Sequence, residues 1–184
     1  MRMFNLKSQT LYGSILLSAI LFRLSLPPSH YGWLILVAFT PVLSVLPKHN
    51  LYEWGFAGFL IALFAYVDSV GAFAAWSVSL VIIHWITTGL IFGCFFAVSG
   101  YLQERVPYDH SWLALPACWP PFSLFCEHVL QLPLSFSVAL APTFPSLLSP
   151  ATFISATGTD MVILSISSIL AAIYRNVISH QLAI

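Results

Sequence analysis

The chain has 184 residues, of which 59% are hydrophobic and 7% charged, with a mean hydropathy of +0.92 and a formal net charge of zero. A soluble domain carries about 25% charged residues, so this composition reads as an integral membrane protein. Its length leaves room for six helices of about 20 residues and excludes an additional large soluble domain, so residues 1–184 are expected to form one membrane domain. Six basic residues form no patch of the kind nucleic acid demands, so no nucleic-acid partner is expected.

The first helix is expected over about Leu11 to Leu26. Arg2 and Lys7 precede it as in a signal peptide, but no small-residue cleavage site follows, and Pro27 and Pro28 end it. A turn at Ser29 to Gly32 leads to a short second helix, about Trp33 to Leu46, which contains Pro41 and stops at Pro47-Lys48-His49-Asn50. The third, about Trp54 to Trp76, is bracketed by tryptophans, as interfacial residues are, and holds Asp68. The fourth, about Val78 to Leu102, holds His84 and ends in the polar run Gln103 to His110.

The fifth helix, about Trp112 to Leu130, is expected to be broken by Pro116, Pro120 and Pro121, which a membrane tolerates only where protein or water satisfies the freed carbonyls. Leu132 to Pro150 has four prolines and no charge, which reads as an outer re-entrant or interfacial loop. The sixth helix runs from about Thr152 to Tyr174. The expected fold is therefore an all-α polytopic bundle of about six transmembrane helices.

Six spans put Arg2, Lys7, Lys48, Arg105 and Arg175 on one side, so the positive-inside rule makes both termini cytoplasmic. Counting about 1.5 Å per residue along each span brings Asp68, His84, Glu127, His128 and Asp160 to similar depth in the outer half, with Arg23 near them. An ionised side chain costs about 2.5–3.5 kcal/mol at the bilayer centre, so a shared depth points to a shared polar pocket. These six residues are the candidate lipid or pocket residues.

Glu127, next to the proline-broken backbone, is the first choice among them as a cavity residue, and Arg23 can pair with one of the acids, whereas others have a plainer explanation. Asp68 and His84 can be a hydrogen bond between two helices, and Asp160 can complement the positive start of its own helix. Cys126, Glu127 and His128 are adjacent and point about 100° apart around a helix, so they do not converge as nucleophile, acid and base. No catalytic residue is assigned. No motif for a nucleotide, a metal or an acyl-enzyme is present, and the six histidines have no ligand spacing on one helix face, so no metal or cofactor is expected. Cys94, Cys118 and Cys126 have no CxxC spacing and read as packing residues. Gly89, Gly93 and Ala97 form a small-residue face on the fourth helix that lets another helix approach.

The chain resembles a known family in the order of several features. The first helix closes on Leu24-Ser25-Leu26-Pro27-Pro28, a turn with Tyr31 and Trp33 follows, and the second helix ends in a basic loop. The third helix opens at Tyr52 to Gly58, and the fifth starts with Trp112-Leu113-Ala114-Leu115-Pro116-Ala117-Cys118-Trp119, with Glu127 eight residues after Trp119. Over about residues 11 to 175 this is similar to the N-terminal membrane domain of bacterial apolipoprotein N-acyltransferase. Leu132-Pro133-Leu134 resembles that family's Phe-Pro-Trp loop, and Ile154 to Leu164 the segment leading into helix six.

The resemblance implies a bacterial inner-membrane bundle whose partner is phospholipid or lipoprotein. In that family a periplasmic nitrilase-like domain moves an acyl chain from phospholipid to a lipoprotein's N-terminal cysteine. Its catalytic glutamate, lysine and cysteine lie outside the matched stretch, so none is carried over. Two departures stand inside it: Tyr66 to Trp76 with Asp68 replaces the aromatic motif of helix three, and His128 and Val129 follow Glu127 in place of arginine and glycine. Two functions follow as expectations. One is a lipid- or lipoprotein-binding bundle that relies on another chain for chemistry, and the other is a non-catalytic subunit that stabilises a larger membrane complex.

Overall fold

A computed structural model describes residues 2–27, 29, 31–67, 77–130, 135–136 and 151–181. The described residues are all-α, with six α-helices and no strand. These are α1 (Arg2–Ser25), α2 (Thr40–Val45), α3 (Leu51–Ala65), α4 (Val78–Gln103), α5 (Ala114–His128) and α6 (Ala151–Gln181). Two are long and apolar enough to cross a membrane, α4 and the Ser155–Asn176 part of α6.

Local chemistry sets most of the boundaries. Asn50 and Glu53 form a reciprocal capping box at the start of α3, with Glu53 N donating to Asn50 Oδ1 at 3.0 Å and Asn50 N to Glu53 Oε2 at 2.9 Å. Pro27 follows the end of α1, and Pro107 follows the turn that closes α4. The expected second helix is instead a 3-10 turn at Gly32–Leu36, a break, and the single-turn α2 with Pro41 in its first turn, where the missing N–H costs nothing.

That irregular segment leaves backbone groups unpaired within itself, and other helices supply the partners. Ser18 Oγ of α1 accepts from Val42 N at 3.1 Å, near the start of α2. On the other side, Ser167 of α6 donates to Leu36 O at 2.7 Å, and Thr40 Oγ1 donates to Ser167 O at 3.3 Å. The short segment is thereby fastened between α1 and α6.

The fifth helix differs from the sequence expectation. A 3-10 turn at Tyr108–Leu113 leads into α5, which runs on across Pro120 and Pro121 without a break. Pro116 falls in the first turn, where its missing N–H is harmless, and Ser123 Oγ donates to Pro120 O at 3.1 Å beside the gap. Within α6 the backbone kinks at Ser155, which has φ 65° and ψ 166°.

Helices α3 and α4 share the most extensive contact. Small residues on both sides make it possible. A Cβ added at Gly93 would lie 3.0 Å from Gly55 O, one at Gly89 would meet the Phe59 ring at 3.0 Å, and one at Gly55 would lie 3.5 Å from Ala97 Cβ. Gly58 is tighter still, since a Cβ there would meet Phe92 O at 2.6 Å. Trp85 Nε1 then donates across the interface to Leu63 O at 2.8 Å.

The core is an aromatic cluster. Phe136, only 2% exposed, lies against Phe22, Phe39, Phe92 and Trp119, with ring centroids 5.7, 5.4, 5.9 and 4.4 Å away. Such offset and edge-on pairs each add about 0.5–1.5 kcal/mol beyond area burial. Of the proline-rich loop expected over Leu132 to Pro150, only Ser135 and Phe136 lie among the described residues, and Phe136 is docked in this core.

Candidate functional site

Among the described residues, Asp160 is the one candidate pocket residue that is buried, at 1% exposure on α6. An uncompensated carboxylate in an apolar core would be costly, and here two donors meet it. Trp119 Nε1 of α5 donates to Oδ2 at 3.1 Å, and Ser135 Oγ donates to Oδ1 at 3.1 Å. Half-buried Tyr66, just past α3, lies within electrostatic reach of the same carboxylate. Nearby, Ser123 Oγ lies 3.5 Å from Thr157 Oγ1, a second polar approach between α5 and α6. The cluster joins α5, α6 and the Ser135 segment around one acid.

The other candidates are placed differently. His84, Glu127 and His128 are exposed, and among the described residues the side chains of His84 and Glu127 make no hydrogen bond or ion pair. His128 Nδ1 lies 3.1 Å from Leu124 O of its own helix. Arg23 is half-buried in the last turn of α1, and Asp68 lies outside the described residues. Among the described residues, then, the polar layer resolves into one buried acid, the half-buried Arg23 and three surface groups.

Cys94 is exposed, Cys118 and Cys126 are buried, and all three are free. No group of three or more metal-ligating side chains occurs among the described residues.

Open volume lies elsewhere. From Asp160 to Arg175 the chain rises about 22 Å along α6. There, beside the 3-10 turn at Leu46–Lys48 and the end of α4, is a cavity of about 260 Å³. His49, Trp54, Gln103, Glu104, Ser111 and Arg175 line it. His49 Nδ1 lies 3.0 Å from Glu53 Oε2, the carboxylate that also closes the α3 capping box. Its side chain is 3% exposed, and its Nε2 is buried with no hydrogen-bond partner among the described residues. A second space of about 400 Å³ shares Ser111 and Arg175 and continues along Trp112, Ile169, Ala172 and Ile173. Sequence reasoning took His49 only as a helix-stop residue. The signal that could have found it is Asn50-Leu51-Tyr52-Glu53, a capping-box spacing that fixes the chain just after it.

No family model, curated protein or solved structure matches the chain. The functional reading therefore rests on this chain's own chemistry and on the resemblance in the order of its motifs.

Proposed function

We propose that the chain is a multi-pass membrane protein similar to the membrane domain of apolipoprotein N-acyltransferase, which binds phospholipid or lipoprotein and performs no acyl transfer by itself. The observation that carries this is the inverted polarity of the bundle. Leu16 and Ile20 of α1, Leu80 and Ile83 of α4, and Val162 and Ile173 of α6 are exposed, whereas Asp160 and the hydroxyls of Ser18, Ser99 and Ser167 are buried. In water such continuous apolar faces are a liability, whereas in a bilayer lipid solvates them and buried polar groups hold the helices together. The bacterial inner membrane with both termini cytoplasmic is the location this reading implies, from the distribution of Arg and Lys.

A second reading rests on the surroundings of Asp160. With Trp119 and Ser135 already donating to it, this acid serves packing, and the exposed apolar faces would then seat other subunits. The bundle would be a non-catalytic integral component of a larger complex.

One experiment separates these. The tagged chain is expressed in bacteria, its membranes are washed with alkaline carbonate, and the retained protein is purified in mild detergent for mass spectrometry of lipids and proteins. Retention with bound diacyl lipid or lipoprotein supports the first reading. Stoichiometric membrane subunits support the second, and release of the chain by carbonate overturns both.

A further inference from the structure

Glu127 is exposed near the end of α5, and its carboxylate makes no hydrogen bond or ion pair among the described residues. It lies about 20 Å along the helix from Ala114, short of the roughly 30 Å of a bilayer's hydrocarbon core. Exposed Val129 and Leu130 continue the apolar surface beyond it. In a membrane this carboxylate therefore faces lipid, where an ionised group costs about 2.5–3.5 kcal/mol at the centre and where ionisable side chains are otherwise turned inward or paired. Its complement comes from outside the bundle.

The next residue supplies the chemistry. His128 is also exposed, and its Nδ1 lies 3.1 Å from Leu124 O. A carbonyl oxygen only accepts, so Nδ1 carries the hydrogen and Nε2 is the ring nitrogen left for an outside partner. One proton shared between Nε2 and a carboxylate gives a hydrogen-bonded pair with no net charge, whichever side holds the proton. Glu127 cannot use its own neighbour, because adjacent residues point about 100° apart around a helix. Relative to Leu124, Glu127 stands about 60° to one side and His128 about 40° to the other. Acid and base thus flank one exposed seam. Along it, Leu113, Ala117, Pro120 and Leu124 recur at the alternating three- and four-residue spacing of paired helices. Leu113 and Leu124 are 38% and 49% exposed, and Ala117 and Pro120 have no long side chain to hold a second helix away.

We infer that two copies of the chain pair side by side through this face of α5, with Glu127 of each copy meeting His128 of the other. The assignment rests on the membrane reading above. Copies inserted in one orientation are related by a two-fold axis along the membrane normal, which brings equal depths together. Each flank of the seam then meets the opposite flank of the second copy, so the acid–base pair forms twice. The chain carries both halves of the complement at one depth, which favours a second copy over an unrelated helix as the occupant. Exposed His84 has no such match, since α4 contains no acid.

The test uses the full chain, carrying donor or acceptor dyes on a C-terminal tag, in liposomes over a range of lipid dilutions, with pairing read by energy transfer. The unaltered chain should pair with one partner per copy. Glu127→His and His128→Glu each leave like groups face to face and should weaken pairing by about tenfold or more, the scale of two lost interhelical hydrogen bonds. The double exchange Glu127→His with His128→Glu puts the same groups on opposite flanks and should restore pairing, an outcome that misfolding does not imitate. Cys94 is exposed, so cross-linking is read in a Cys94→Ser background. There Leu124→Cys should form a disulfide between copies, whereas Ile83→Cys on the exposed face of α4 should not. A monomer at every dilution, single exchanges that pair as well as the unaltered chain, or a double exchange that restores nothing overturns the inference. Capture of a different membrane protein at Leu124→Cys in place of a second copy overturns it too. Carbonate extraction of the same membranes is read separately. An embedded monomer sinks only this pairing, whereas an extractable chain sinks the membrane reading with it.

Discussion

Trp119 and Asp160 meet across the α5–α6 interface, with the indole Nε1 donating to the carboxylate Oδ2 at 3.1 Å inside the bundle. The same indole ring stacks on Phe136 with centroids 4.4 Å apart, so one side chain both fills the aromatic core and satisfies its acid. Trp119→Phe keeps most of the ring and removes the donor. The expected loss is about 1.5–3 kcal/mol, typical of a hydrogen bond to a charged group, read as a lower unfolding midpoint in detergent. Asp160→Asn should also destabilise, and the double variant should lose less than the sum by about 1 kcal/mol or more. Strict additivity would mean that the two residues do not share an interaction.

Close approach of α3 to α4 depends on a missing methyl group at Gly58. A Cβ there would come within 2.6 Å of Phe92 O and 2.8 Å of Phe96 Cβ, and neither backbone nor Cβ can swing away. Gly58→Ala is expected to cost about 1–3 kcal/mol through forced separation of the helices. Gly13 on α1 has nothing within 4 Å of the same added atom, so Gly13→Ala should be neutral or stabilise by up to about 1 kcal/mol. Equal thermal shifts for the two variants would contradict the packing described.

Ser155 holds a backbone conformation that belongs to glycine, with φ 65° and ψ 166°. Such strain costs about 1–3 kcal/mol in a residue with a Cβ. Its hydroxyl partly compensates by accepting from Gly158 N at 3.3 Å, as an N-cap does for the helix beyond the kink. Ser155→Gly loses the cap, worth a few tenths of a kcal/mol, and relieves the strain, so the midpoint should rise. Ser155→Val should lower it, because a β-branched side chain tolerates positive φ least. A fall in both variants would show that the hydroxyl outweighs the strain.

Composition and local spacing made the helical class readable, and several boundaries with it. Val78 to Gln103 follows directly from an apolar run ended by Glu104, Arg105 and Pro107, because helix propensity and proline stops act within a few residues. The close face of α4 was likewise visible as Gly89, Gly93 and Ala97, since small residues four apart align on one side of a helix wherever it packs. The prolines of α5 were visible too, but whether they break a helix depends on what surrounds them, and here the helix continues.

Which face of each helix turns inward was not readable. Helices apolar all round give no amphipathic signal, so sequence alone could not say that His84 and Glu127 lie on the surface while Asp160 is buried. A count of depth along separate spans places acids at one level without saying whether they face each other. The sequence by itself therefore determined the all-helical class and the small-residue contact face. Only the tertiary structure decided that Trp119 and Ser135 would satisfy Asp160, and that His49 would close a cavity with Arg175 at the opposite end. Those pairings join residues far apart in the chain, and they depend on the rotation of each helix about its axis, which packing sets and local sequence does not.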